Sequence, residues 1–206
     1  MNATHDPVRE EILDAAAELF EHYSYRKTTV EEIAQKAGVG KGTIYLHFES
    51  KEEIGLAWLH RIHQEMLISL LETVEGTGSA LDRLEEFLVQ RVMLRDAIFR
   101  QHRRSLDEAL ESLRGMLDEH RHRFHAQEAA LIARLIDEAA REGEARQTGE
   151  SSDRLGETLV VATNSLLPYR VRTEQVPPRK TIEDHARRVS ALLRQALQKP
   201  QEINHG

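Results

Sequence analysis

The chain is expected to be all-α, with an N-terminal three-helix helix-turn-helix domain followed by a second, wholly helical domain. Three observations predict this. Leu, Ala, Glu and Arg, all good helix formers, are abundant, while aromatic residues make up 5% of the 206 residues and prolines number 5. Apolar residues recur at i, i+3 and i+4 along most of the chain. Capping residues and glycines stand at the ends of those stretches.

The first helix opens at Asp6-Pro7, with proline at the first helical position. Ile12, Ala16, Leu19, Phe20 and Tyr23 are expected to form its buried stripe. Residues 28–53, TTVEEIAQKAGVGKGTIYLHFESKEE, then read as helix, tight turn, helix and the start of another helix. Thr28 or Thr29 caps the second helix, with Glu31 or Glu32 as the reciprocal partner three residues on. Val30, Ile33, Ala34 and Ala37 give it one apolar face. Gly38 ends it in the left-handed conformation, and Val39 packs back from the turn. The third helix runs from Lys41 to Phe48, with Ile44 and Phe48 facing inward. That leaves Lys41, Gly42, Thr43, Tyr45 and His47 on the outer surface.

A solvated helix face is usually Glu, Lys and Arg, so this outer set is unusual. It suits a face pressed against DNA, because a helix of this size fits the major groove. Gly42 permits close approach, Thr43 and Tyr45 reach bases or phosphates, and lysine pairs with phosphate. Ser50-x-x-Glu53 is a further capping box and opens the fourth helix. Lys51, at that helix's N-terminus, can meet a phosphate together with the backbone N–H groups. The bare pattern of apolar helix, glycine and helix fits a hairpin that merely packs about as well. The order Y-x-H-F-x-S-K that follows it shifts the balance toward DNA.

The remaining elements are coarser. Helix 4 is expected over Lys51–Thr73, with Ile54, Trp58, Ile62 and Met66 at every fourth residue. Residues 75–79 are a break. Helix 5 is expected over Ala80–Arg95, followed by a short helical segment over Phe99–Leu113. A long helix over Arg114–Glu142 ends at Gly143, and residues 144–152 form a polar loop. Two last helices, Asp153–Pro168 and Thr181–Lys199, flank an irregular stretch carrying Pro177-Pro178.

The stretch from about Val8 to Trp58 resembles the DNA-binding domain of tetracycline-repressor-like (TetR/AcrR) transcriptional regulators. It carries ILDAAAELFEHY, TTVEEIAQKAGV and KGTIYLHFESKEEI in order. The resemblance implies a TetR-type helix-turn-helix DNA-binding domain over residues 7–67 and a helical ligand-binding and dimerisation domain over 68–199. It implies DNA contact from Thr29, Lys41, Gly42, Thr43, Tyr45, His47 and Lys51. Of these, Thr29, Tyr45, His47 and Lys51 would mainly bind phosphate, while Lys41, Gly42 and Thr43 would approach base edges. At Gly40 many members carry a Ser or Thr that caps the recognition helix, so no side-chain contact is expected there.

The resemblance also implies that the last two long helices of each subunit build a four-helix dimer interface. Leu155, Leu159 and Leu166, with Ile182, Val189 and Leu193, are its candidates, although such a stripe alone is ordinarily core. It implies an effector cavity among the middle helices. Trp58, Phe87, Phe99 and Phe124 are candidates for its lining, each also readable as plain core. The implied partners are double-stranded operator DNA, a second copy of the chain and an unidentified small-molecule effector. The implied function is a ligand-responsive repressor that releases its operator when the effector binds.

Composition bounds the alternatives. The chain has no cysteine, which excludes disulfides and thiolate metal sites. No signal peptide or membrane-spanning apolar run is visible, so a cytoplasmic protein without a membrane partner is expected. The net charge of −7 argues against indiscriminate nucleic-acid binding. Residues 1–51 hold six Lys/Arg against nine Asp/Glu, but six of those acids belong to the first helix region. The cations of Arg26–Lys51 are therefore expected on one small face, with the acids pointing elsewhere.

Eleven histidines invite a metal reading. His120, His122 and His125 cannot converge from one helix, since His120 lies about 200° from His122. His60 and His63 share a face but need further ligands that spacing does not supply. Glu119-x-x-His122 is a single copy of a di-iron motif that requires two. No metal, cofactor or enzymatic activity is expected. Two rival readings are a helical metal-dependent enzyme using the His-rich long helix, and a helical interaction module that no longer binds DNA.

Overall fold

The computed structural model describes residues 6–166 and 176–200. Eight α-helices follow one another in the described residues: α1 Pro7–Tyr23, α2 Val30–Lys36, α3 Lys41–His47, α4 Lys51–Val74, α5 Ala80–Ser112, α6 Leu117–Arg141, α7 Ser152–Asn164 and α8 Arg179–Leu197. A 3₁₀ turn, Arg114–Met116, leads into α6. The described residues contain no strand, only a single antiparallel bridge between Ala145 and Gln198.

The local signals explain the helix ends. The Asp6 carboxylate accepts the Arg9 N–H at 3.2 Å and caps α1. Thr29 and Glu32 form a full capping box on α2: the Thr29 hydroxyl accepts the Glu32 N–H at 3.2 Å, and the Glu32 carboxylate accepts the Thr29 N–H at 2.8 Å. Gly38 turns the chain after α2 at φ 70°, where a side chain would be strained. Gly40 precedes α3 with no side-chain cap. Ser50 accepts the Glu53 N–H at 3.1 Å and opens α4.

Two expectations about the middle of the chain are corrected. No break follows Arg95: the segments expected over 80–95 and 99–113 are one element, α5, with non-helical backbone only at His102 (φ −109°, ψ 18°). The reason is that residues 80–112 contain neither glycine nor proline to end a helix. The long helix begins at Leu117 rather than Arg114, after the 3₁₀ turn. The penultimate helix ends at Asn164, short of the expected Pro168, which itself lies outside the described residues.

The chain folds into two compact units. Of the described residues, 6–64 and 98–121 form the first, and 65–97, 122–166 and 176–200 form the second. In the first unit, Ile12, Ala16 and Phe20 of α1 pack with Ile33, Ile44 and Phe48 of the helix-turn-helix. Trp58 of α4 sits edge-on to Phe20, with ring centroids 5.2 Å apart. Leu106, Ala109, Leu113 and Leu117 complete this core from the later segment. Polar bonds fix that segment in place. Ser105 accepts the Tyr25 N–H at 3.1 Å and donates its own hydroxyl to the Phe20 carbonyl. Glu108 accepts the Arg26 N–H at 2.8 Å. Gly55 permits close packing here, because a Cβ would lie 2.6 Å from the buried Tyr25 ring.

In the second unit, α8 packs Ile182 and Ala186 onto Val89 and Val92 of α5. Arg194 reinforces this through Asp82 at 2.6 Å, and its guanidinium holds the Asp82 carboxyl below its ordinary value. At Gly156 of α7 a Cβ would collide with the Ala129 backbone carbonyl of α6. Beside this crossing lies a buried ionic network. Glu128 accepts hydrogen bonds from Arg91 at 2.9 Å and Arg95 at 2.8 Å, and Arg91 also reaches Thr163 at 2.8 Å and Asn164 at 2.7 Å. Burial opposes ionisation of Glu128, but the Arg95 and Arg91 charges outweigh it and hold its carboxyl below the usual range.

Candidate nucleic-acid interface

α3 is anchored by one side only. Ile44 and Phe48 are buried in the first unit, so the rest of this seven-residue helix faces outward. Lys41, Gly42 and Tyr45 are exposed, Tyr45 to 48%. No atom lies within 4 Å of a Cβ placed on Gly42, so another backbone or a base can approach it. Thr43 and His47 are half-buried at the flanks.

The two residues outside α3 have prior structural engagements. Thr29 is exposed, yet its hydroxyl serves the capping box and also donates to the Glu32 carboxylate at 2.9 Å. Lys51 lies 4.7 Å over the Tyr25 ring and donates to the Arg26 carbonyl at 3.3 Å. Burial pushes the Lys51 ammonium down from its ordinary value, against the pull of Glu52, Glu108 and Glu32. Burial pushes the Tyr25 phenol up to about 12, so the ring under Lys51 stays neutral.

The expected separation of charges does not occur. Lys41 pairs with Glu31 of α2, and His47 contacts Asp6 at 2.9 Å. Lys36 pairs with Glu18 at 2.6 Å and Arg26 with Glu111 at 2.6 Å. Acids are therefore interleaved with the outward cations, because helix packing brings the N-terminus of α1 and the first turn of α2 beside α3. Lys41 holds the Glu31 carboxyl below its ordinary value, and Glu31 raises the Lys41 ammonium. The Asp6 carboxyl is lowered first by the Arg9 backbone N–H and then by His47.

One outward residue escapes a reading by hydrophobicity. Leu46 is 83% exposed, although a leucine two positions from both Ile44 and Phe48 suggests core. Its angular position gives the signal: at about 100° per residue it lies opposite Ile44 and Phe48.

The other candidate sets separate. Trp58 and Phe99 belong to the first unit and Phe87 and Phe124 to the second, and all four are buried. A surface cleft of about 190 Å³ in the first unit is lined by Arg9, Glu10, Leu13, Ala57, His60, Arg61 and Gln64, and by none of those four. On α7 and α8, Leu159 and Ile182 are buried within the chain's own core, while Leu155, Leu166, Val189 and Leu193 are half-buried. The exposed apolar residues of these helices are Val161 (68%) and Leu192 (65%). His60 and His63 of α4 both face His120 of α6, with ring centroids 5.7 Å apart in each case. Among the described residues no group of three or more His, Cys, Asp or Glu is arranged to hold a metal ion.

A short outward helix, set by a glycine turn on a three-helix core, defines a helix-turn-helix protein. Residues 12–57 match the model for bacterial regulatory proteins of the tetR family. Over this segment the chain is similar to the DNA-binding part of the tetR family. It is 34% identical over 88 residues to the fatty acid metabolism regulator protein of Bacillus subtilis, covering 43% of this chain and 38% of that one. It is 36% identical over 77 residues to the transcriptional repressor KstR2 of Mycobacterium tuberculosis, covering 37% of this chain and 38% of that one. The chain thus spans little more than a third of the length of these curated relatives. The likeness of fold reaches further. The crystal structure of FadR from Bacillus subtilis in complex with stearoyl-CoA aligns with 88% of this chain and 96% of its own, at a TM-score of 0.63 and 19% identity.

Proposed function

We propose that the chain is a ligand-responsive transcriptional repressor, not an enzyme. Residues 7–67 would read operator DNA, and residues 68–199 would bind the effector and dimerise. The observation that carries this reading is α3: it buries only Ile44 and Phe48 and turns Lys41, Gly42, Leu46 and Tyr45 outward. Thr29, Tyr45, His47 and Lys51 are proposed to position α3 on the phosphates, with Lys41, Gly42 and Thr43 toward base edges. Glu31 and Asp6 must release Lys41 and His47 to the DNA, which disfavours indiscriminate binding and fits the acidic balance of the chain. No described helix is long and apolar enough to cross a membrane, and a DNA partner fits a cytoplasmic protein.

The test is duplex binding measured by fluorescence anisotropy across a salt series, on a site enriched from a random double-stranded pool. Lys41→Ala and Tyr45→Ala are each expected to weaken binding while leaving the helical circular dichroism intact. Loss of the Lys41 contact should reduce the slope of log K against log salt by about one. Unchanged affinity and slope in both variants would refute the interface.

A second copy of the chain is the proposed partner of the α7–α8 surface, because Val161 and Leu192 are large, apolar and exposed. The double variant Val161→Asp/Leu192→Asp is expected to sediment as a folded monomer, since burying unpaired charges costs several kcal/mol. A dimer that persists would place the interface elsewhere. A charge at Leu159 would instead disturb the chain's own core.

The effector is proposed to act by population shift. It favours a state in which two recognition helices no longer match successive major grooves about 34 to 36 Å apart. FadR's stearoyl-CoA complex supports a small-molecule effector in a protein of this fold.

A further inference from the structure

We infer that Leu46 reads the 5-methyl group of a thymine in each half-site. This rests on the DNA-binding reading above and adds to it which base is recognised and by what chemistry.

Leu46 is 83% exposed, the most exposed large apolar side chain among the described residues. At about 100° per residue it lies about 180° around α3 from the midpoint of Ile44 and Phe48. It therefore occupies the middle of the outward face. Gly42, one turn earlier, shares that face and leaves open space beside it. Tyr45 and His47, the latter facing Asp6, stand about 100° to either side, and Lys41, paired with Glu31, opens the helix. The most advanced point of α3 is thus an apolar group framed by polar ones.

A leucine has neither donor nor acceptor, so it cannot hold a phosphate or bond a base edge. Among the groups lining the major groove of unmodified DNA, the one it complements is the thymine 5-methyl. A polar base edge facing Leu46 would lose its water and gain no hydrogen bond, which disfavours the other bases at that position. The side chain then selects by attraction to the methyl and by rejecting its alternatives.

The intact protein is used to enrich duplexes from a random double-stranded pool. Each thymine of the enriched site is then replaced by uracil, which keeps base pairing and removes only the methyl. At one position per half-site, uracil is expected to weaken wild-type binding about fourfold, the factor that corresponds to one buried methyl-sized group of ~0.8 kcal/mol. Leu46→Asn is expected to lose both the preference for thymine there and the response to uracil. Leu46→Met is expected to keep both. Because the side chain is exposed, all three proteins should share the same helical signal. Indifference of the wild type to uracil at every thymine would overturn the inference alone. So would a uracil penalty that persists in Leu46→Asn. Failure to enrich any duplex would overturn it together with the DNA-binding reading.

Discussion

Glu128→Ala is expected to lower folding stability by about 3–5 kcal/mol, the cost of breaking a buried ion pair from one side. Glu128 is fully buried, and both Arg91 and Arg95 direct guanidinium N–H groups at its carboxylate. Removing it takes away the carboxylate that both guanidinium groups share in a low-dielectric interior, where water cannot replace the lost bonds. The same network predicts a dependence on acid. The folded-state carboxyl of Glu128 is lowered from its ordinary 4.5. Its contribution is therefore complete above that value and is lost as pH falls through the lower folded value. Thermal melts of the wild type between pH 7 and pH 3 should show this loss beginning below about 4.5. Glu128→Gln should begin less stable and lose less over the same interval. An equal slope in both proteins would mean that another carboxylate governs the acid limb.

Gly156→Ala is expected to cost about 2–3 kcal/mol, although alanine is the better helix former. The added methyl meets the Ala129 backbone carbonyl, which cannot rotate away as a flexible side chain would. α6 and α7 must move apart, and the contacts of Leu159 and Val160 loosen with them. Urea denaturation at matched protein concentration measures the loss as a shifted midpoint at constant slope. Glu157→Ala, one residue along on the exposed side, should change stability by no more than about 0.5 kcal/mol. If the two variants behave alike, α6 and α7 do not cross at Gly156 as described.

The helix-turn-helix was legible because its determinants are local. Asp6, Thr29 with Glu32, Gly38 and Ser50 each act within a few residues, and Ile44 and Phe48 declare the inner side of α3. What was not legible depends on residues far apart in sequence. The pairing of Lys41 with Glu31 and the contact of His47 with Asp6 follow from how helices pack, which a charge count does not contain. The meeting of His60 and His63 with His120 likewise joins residues nearly sixty positions apart. The stripes of α7 and α8 show a related limit. Periodicity marks Leu159 and Ile182 as apolar-face residues, but only packing tells an inner face from one left for a partner. It assigns those two to the core and leaves Val161 and Leu192 outside. For α5 the error ran the other way: a break was expected where no residue in the sequence supplies one.

The composition of the first compact unit bears on how such a reading head can be transplanted. Its core is closed by Leu106, Ala109, Leu113 and Leu117, and its backbone is tied to Ser105 and Glu108. A chimera that borrowed only the first 64 residues would carry the recognition helix but leave its foundation open on one side. The recipient would have to supply matching residues, or the donor segment 98–121 would have to travel with it. The gene-order boundary of the reading head and its physical boundary are different lines, and grafts that respect only the former inherit an exposed apolar seam.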